Sequence, residues 1–496
     1  MKKLFHEKTI TASLILLLLP LILSIIPFFS GWGSEILQSG DNALLEMATQ
    51  ETVQGVYTGA YSRFGFHHPG PMYFYMRYPL YALSGNTASS FYLSTALIVG
   101  ISLWLSFQII RKNSSPVSTI IFTFVFSLFM LTLTRTIWLS QWNPFIIIFP
   151  LCLFIISAAA YSSGANHSLY ITVITGSFLA QTHIGMLPMV AIVFLYLTVF
   201  VVLQRSLKSR ELIISAVLLL IFWIPVIVDQ FSPQGSGNIS IISKIISQYP
   251  SVGITRISIA AWLSSVVPIE MIFLGPWIKE HFSSPVIFHT IIVLFRFPLL
   301  FYAWILARKR NKEGFETRLC ELTLLLIFVS LLSVFSIRGE IFQYLTLWFS
   351  VVSALSWFSI LLVFSGIKFP HRKLVIQIVF FGLLLTTTIF NIRNIRADGF
   401  STDPLQMHDT SIEFLSNKLL ADKNQLHSNQ ILLEITDNAL WPEMLGLACN
   451  LSKHGYDVEI QQSYSFMLNR PNPRLQNPHK VMLYLDDNSN VNLELD

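Results

Sequence analysis

Residues Ile10 to Phe29 read ITASLILLLLPLILSIIPFF, an uncharged run of 20 that follows Lys2, Lys3 and Lys8. At about 1.5 Å per helical residue such a run reaches roughly 30 Å, the hydrocarbon thickness of a bilayer. A secretory signal peptide shares the basic start, but its apolar core is shorter. The small-x-small candidate that follows, Gly31-Trp32-Gly33, is also a poor cleavage site. The run is therefore read as a retained first span that enters the membrane from a cytoplasmic N-terminus.

The rest of the chain has the same character. Of 496 residues 53% are hydrophobic and only 12% charged, and the mean hydropathy is +0.60. Soluble domains carry about 25% charge, which excludes a water-soluble fold. The net charge of +5 sits in short basic clusters between apolar runs, a topological signal and not a nucleic-acid footprint, so no nucleic-acid partner is expected. Cys152 and Cys320 lie inside apolar runs and Cys449 stands alone near the C-terminus. All three read as packing residues, with no disulfide and no metal site.

Tracking the basic clusters gives about eleven spans. After the first span, residues 30–88 form a long polar-aromatic loop outside. Spans near 89–110, 116–134 and 144–160 follow, and Arg111 and Lys112 mark the inside. Residues 169–203 are too many for one span and few for two. The polar break Gln181-Thr182-His183-Ile184-Gly185 divides them, and only two short spans keep Arg205, Lys208 and Arg210 inside. A seventh span (about 211–228) leads to an outer segment in which Ile257 to Trp277 is apolar but broken by Pro268, Glu270, Gly275 and Pro276. A full crossing there would put Arg308 to Lys312 outside, so this segment is expected to be re-entrant or interfacial. Spans near 285–307, 319–336, 346–366 and 374–391 complete the set, with His371-Arg372-Lys373 inside. The expectation is an α-helical polytopic membrane domain over 1–391 and a soluble extracytoplasmic tail over 392–496. The tail alternates between helical stretches (Thr410 to Leu420, Pro442 to His454) and strand-like ones (Gln430 to Thr436, Val458 to Ile460, Val481 to Leu485), the order of a small α/β unit.

The first outer loop carries the chemistry. It contains Asp41 and Glu46, then Ser62-Arg63-Phe64-Gly65-Phe66-His67-His68-Pro69-Gly70-Pro71. A carboxylate beside the membrane surface can take a proton from an acceptor hydroxyl during displacement at a sugar carbon. Arg63, His67 and His68 can supply donors to a departing phosphate. Each has a plainer role: Asp41 is a favoured N-cap for the helix-like run Asn42 to Val53, and the histidines suit a turn. Tyr73, Tyr75, Tyr78 and Tyr81 suit an interfacial aromatic belt, on a short helix whose first turn Pro71 could occupy. Adjacent histidines are poorly spaced for a metal.

This loop resembles that of the GT-C superfamily, the multi-span glycosyltransferases that take sugars from polyprenyl-phosphate carriers on the outer face of a membrane. Asp41 stands where those enzymes keep a catalytic acidic residue soon after the first span. His67-His68-Pro69-Gly70-Pro71 is similar to the His-Pro stretch of protein-mannosyltransferase-like and aminoarabinose-transferase-like members. The resemblance implies Asp41 as general base with Glu46 as the next candidate, a polyprenyl-phosphate sugar as donor, and a lipid, glycan or protein acceptor of the cell envelope. It implies a multi-pass protein of the bacterial inner membrane. Where the family often has Asp-Glu this chain has Asp41-Asn42. No cofactor is read with certainty, and a divalent metal is compatible with the resemblance.

Further polar residues fall at expected outer membrane edges. Gln181 and His183 interrupt a deeply apolar stretch, where polar groups are costly; a packing hydrogen bond between helices is the plainer role. Arg135, Arg338 and Gln343 can meet a phosphate, or the arginines can snorkel at span ends. Trp138, Gln141, Trp142, Asn143 and Pro144 form another outer turn. The alternative function is a transporter or flippase of lipid-linked glycans. Such proteins show two similar halves and charge at mid-membrane, and neither is read here. A structural or sensory subunit is a third reading.

Overall fold

The computed structural model describes residues 2–30, 32–204, 209–233, 235–281, 285–367, 372–397, 409–421, 429–469, 475, 478–486 and 489–495. Arg205, Lys208 and His371, used above to set sidedness, lie outside the described residues.

Helices dominate. In chain order they are α1 (Lys2–Ser30), α2 (Gly40–Gln50), α3 (Met72–Leu83), α4 (Ser89–Asn113), α5 (Pro116–Leu133), α6 (Arg135–Trp138), α7 (Asn143–Ile146), α8 (Ile148–Ser162), α9 (Ser168–Thr182) and α10 (Leu187–Gln204). Then come α11 (Ser209–Phe231), α12 (Asn238–Gln248), α13 (Arg256–Ser265), α14 (Pro268–His281), α15 (Pro285–Arg310), α16 (Phe315–Ser336), α17 (Gln343–Thr346), α18 (Ser350–Phe364), α19 (Arg372–Ala397), α20 (Thr410–Ala421) and α21 (Trp441–Lys453). Among the described residues nine helical stretches are long and apolar enough to cross a membrane, and each coincides with an expected span. The other two expected spans are α9 and α10. They meet at the polar break, where His183 leaves the helix with φ −150° and ψ 119°, and at 15 and 18 residues they are short for separate crossings. The segment read as re-entrant forms α13 and α14, bent by 76°.

Two compact units divide the chain. The first comprises Met1–Ile25, Thr95–Phe222 and Ile246–Phe400. Its centre is α8, 89% buried over its apolar window, whereas α11 is 17% buried. Outer helices carry exposed Ile213, Leu294 and Phe328, the reverse of a water-soluble surface and the expected state of helices facing lipid. Close packing of α8, α9 and α10 depends on Gly176, where a Cβ would stand 2.9 Å from ring atoms of both Phe154 and Phe194. Small residues let membrane helices approach, and hydroxyls supply the hydrogen bonds between them: Thr172 Oγ1 donates to Ser157 Oγ at 2.9 Å. One charged pair is buried here. Glu270 of α14 accepts from Arg296 Nη1, from Ser353 Oγ at 2.9 Å and from Trp357 Nε1 at 2.9 Å. Arg296 Nη2 donates to Val266 O at 2.6 Å, a carbonyl left open where α13 ends.

The second unit comprises Ile26–Ser94, Trp223–Ile245 and Ser401–Asp496. The tail forms a four-stranded sheet of order β4-β3-β5-β6 from β3 (Gln430–Ile435), β4 (Asp457–Ile460), β5 (His479–Leu485) and β6 (Val491–Leu495), preceded in the loop by β1 (Tyr61–Ser62) and β2 (Phe66–His67). β3 pairs parallel with β4 and β5, and β6 runs antiparallel to β5. This is the expected small α/β unit with β6 added. Its core is shared with the first loop: Ala43, Leu44 and Met47 of α2 pack among Leu415, Leu433, Leu447 and Val481. At Gly446 a Cβ would come within 2.6 Å of Gln38 O, so only glycine lets α21 lie this close to the segment entering α2.

Candidate active site

α2 begins two residues earlier than an N-cap at Asp41 would require. Ser39, extended at φ −115° and ψ 170°, occupies the cap, and Asp41 sits half-buried in the first turn. Backbone N–H groups and the positive end of the helix dipole favour negative charge at that turn.

Glu46 lies five residues on, about 140° around the helix at 100° per residue, and is 1% exposed. Its carboxylate forms an ion pair with Lys453 Nζ and accepts from Tyr81 Oη at 3.1 Å. Lys453 also meets Glu35 at 2.6 Å, and Gln50 Nε2 donates to Tyr81 Oη at 2.9 Å. Burial pushes the Glu46 carboxyl above the usual range, with Lys453 opposing the shift. Burial works against the Lys453 cation, but Glu46 and Glu35 hold it above its ordinary value. Both burial and the Glu46 charge raise the Tyr81 hydroxyl. Glu46 thus serves a buried ion pair, on a different face from Asp41.

The hairpin of β1 and β2 presents the basic residues. Tyr61 pairs with His67 and Ser62 with Phe66, and Arg63 stands in the turn with its guanidinium 4.9 Å from the Phe64 ring centroid. His67 and His68 are adjacent in extended chain, so their side chains leave on opposite sides. The His67 ring Nε2 lies 3.3 Å from Met467 O; a carbonyl only accepts, so this nitrogen carries the proton. Burial pulls the ring's pKa below its ordinary value, which keeps it neutral at physiological pH. Its backbone is fixed by Asn238, which accepts from His67 N at 3.0 Å and donates to His67 O at 2.8 Å. Asp229 in turn accepts from Asn238 N at 2.8 Å. The His68 ring is buried edge-on to Phe66. Of the four tyrosines read as a belt, Tyr73 and Tyr81 are fully buried and Tyr75 is exposed, so only part of that set faces outward.

Asp41, Glu46, Arg63, His67 and His68 belong to the second unit. Arg135, Gln181, His183 and Arg338 belong to the first. Gln181 Nε2 donates to Phe222 O at 2.9 Å, and His183 Nδ1 accepts from Gly185 N at 3.2 Å. Asn143 Nδ2 donates to Thr182 O at 3.3 Å, and Trp142 packs on Tyr344 with centroids 4.8 Å apart. The break and the turn Trp138 to Pro144 therefore meet. Arg338 Nη1 donates to Tyr249 O at 2.7 Å, and Arg135 is buried beside a cavity. Among the described residues no three His, Cys, Asp or Glu side chains gather as a metal site would.

Two charged residues escaped the sequence reading. Lys453 looks like an ordinary basic end to an amphipathic helix. Arg77 is fully buried in α3, 3.6 Å from the Phe91 centroid and 4.9 Å from that of Tyr73; a lone arginine within the aromatic run Tyr73 to Tyr81 was the available signal.

These spans, the broken α13–α14 pair and the terminal sheet define a multi-span membrane protein with the GT-C fold. The chain is similar to the crystal structure of ArnT from Cupriavidus metallidurans bound to undecaprenyl phosphate, with TM-score 0.55 and 11% identity over 94% of this chain and 92% of that one. It is similar to the apo structure of the same protein with TM-score 0.52 and 12% identity over the same shares. No family model matches the sequence, and no curated protein matches it.

Proposed function

We propose that this chain is a glycosyltransferase that moves a sugar from a polyprenyl-phosphate carrier to a cell-envelope acceptor on the outer face of the membrane, with Asp41 as general base. The observation that carries the reading is the fold shared with ArnT over nearly the whole of both chains, ArnT being a protein solved with undecaprenyl phosphate bound. The first turn of α2, where Asp41 lies in the loop after the first span, adds support.

The acceptor oxygen attacks the anomeric carbon, and the bond from that carbon to the phosphate oxygen breaks. Asp41 takes the hydroxyl proton, and the carrier leaves as polyprenyl phosphate. Arg63, in the hairpin turn, is assigned to meet the developing phosphate charge, because its guanidinium stays charged while the His67 ring is neutral. Glu46 is assigned to the Lys453 pair and not to proton transfer. Arg135, Gln181, His183 and Arg338 are assigned to substrate binding.

Asp41→Asn tests the base. It retains size and hydrogen bonding but loses the proton-accepting charge. Transfer should fall about 100-fold or more, the lower range for removing a general base, with insertion and thermal stability unchanged. Near-normal turnover in the variant would remove Asp41 from the role. Movement of lipid-linked glycan between leaflets without transfer would favour the flippase reading.

A further inference from the structure

The hairpin that carries Arg63 is too small to hold its own shape. β1 and β2 contribute two residues each, and even a longer two-stranded hairpin is marginal in water. The turn itself is defined. Gly65, left-handed at φ 81°, donates through its N–H to Ser62 O at 3.0 Å, which puts Arg63 at the tip. Next along the chain, His68 turns its backbone groups toward the first strand. Its N–H donates to Ala60 O at 2.7 Å, and its carbonyl accepts from Gly59 N at 2.8 Å. Those of His67 therefore face the other way, along an open strand edge.

A side chain takes the place of a third strand. Asn238 Oδ1 accepts from His67 N at 3.0 Å and its Nδ2 donates to His67 O at 2.8 Å, so one amide satisfies both groups. Asn238 is buried and is set in turn by the buried Asp229. The Asp229 carboxylate accepts from Asn238 N, Ser236 N and Ser236 Oγ, each at 2.8 Å. The chain folds back sharply to bring these donors round: a Cβ at Gly235 would collide with the Asp229 carbonyl, so only glycine permits the return. Asp229, Asn238 and the hairpin all belong to the second unit.

We propose that Asn238 is a positioning residue for the transfer reaction, aiming Arg63 at the leaving phosphate by completing the edge of its hairpin, with Asp229 holding the amide in place. Both act through the hairpin and not on the substrate. The proposal rests on the assignment of Arg63 to the phosphate, and makes that assignment depend on a residue 171 positions from His67 in the chain.

Two readouts on the full chain in detergent test it, for wild type, Asn238→Ala, Asp229→Asn, Arg63→Gln and the double variant Arg63→Gln, Asn238→Ala. Hydrogen–deuterium exchange reads the clamp. Amides of residues 59–68 should exchange about tenfold faster in Asn238→Ala, the order of effect for losing two backbone hydrogen bonds, while β3 and β5 keep the wild-type rate. Arg63→Gln should leave the hairpin protected. Native mass spectrometry reads the consequence, as the preference for undecaprenyl phosphate over undecaprenol. Arg63→Gln should lower that preference about tenfold, the loss expected for a charge-assisted pair. Asn238→Ala and Asp229→Asn should each lower it about threefold, the lower range for coupled residues. The double variant should fall no further than Arg63→Gln alone, because the clamp has nothing to aim once the guanidinium is gone. Asp229→Asn keeps the size of the side chain, so it reports even if Asn238→Ala folds poorly. Unchanged exchange in both clamp variants, or losses that add to that of Arg63, would overturn Asn238 as a positioning residue and leave the role of Arg63 intact. A wild type indifferent to the phosphate, or Arg63→Gln binding like the wild type, would overturn the Arg63 assignment and this proposal with it.

Discussion

Asp41 and Glu46 sit on one helix and differ in burial. Glu46 is sealed against Lys453 and Tyr81, whereas Asp41 occupies the half-buried first turn. A sequence shows two carboxylates five positions apart; it cannot show which one an ion pair has already claimed. The histidines teach the same lesson. His-His-Pro reads as a pair, yet extended backbone sends the rings to opposite sides and His67 spends its proton on Met467 O. The pH consequence follows from the depressed pKa of His67. As pH falls through the ordinary value of 6.5, the unfolded side chain takes up a proton that the folded one still refuses, so the folded state loses stability below that point. Thermal unfolding followed from about pH 7.5 downward should show that loss. His67→Gln, which can still donate to Met467 O, should reduce the slope while leaving stability at the upper pH nearly unchanged. An identical slope in the variant would mean that His67 is not a buried neutral ring.

At the scale of elements, α2 is held by α21 through Lys453, whose partner Glu35 lies 418 residues away in sequence. Breaking a buried pair from one side leaves a charge without its partner, at a cost of about 3 kcal/mol. Lys453→Met should therefore lower the melting temperature clearly, while the double variant Glu46→Gln, Lys453→Met should recover much of the loss. A double variant as unstable as the single one would show that packing, not charge, holds the helix. Such pairing has no local signature, which is why the tail reads from sequence as an accessory α/β unit although Ala43, Leu44 and Met47 complete its core. The strands β3, β4 and β5 were legible as short runs rich in Val, Ile and Leu between polar stretches. β6, Val491–Leu495, was not, since Asn492 and Glu494 break up a run of only five residues. Likewise α9 and α10 are each short for a span, and the polar break with Arg210 beyond it was the signal that separated them.

For the whole molecule, hydropathy alone marks the nine long spans, because a buried α8 and a lipid-facing α11 are equally apolar in sequence. Their depth in the bundle becomes visible only in three dimensions. The proposed sidedness rests on the parity of basic loops around eleven crossings. It predicts that a C-terminal alkaline phosphatase fusion is active and that a C-terminal green fluorescent protein exported through the Sec route is dark. A bright fusion with an inactive phosphatase would reverse the orientation of the tail. Sugar transfer from a lipid carrier is the central claim, and it is tested most directly by reconstituting the purified chain in liposomes with envelope lipid extract as acceptor. Undecaprenyl-phosphate sugars and nucleotide sugars are supplied in parallel, and labelled product is followed for wild type and Asp41→Asn. The account predicts product from a lipid-phosphate sugar with the wild type alone, and none from any nucleotide sugar. Turnover of a nucleotide sugar with none from the lipid-linked donors would contradict it.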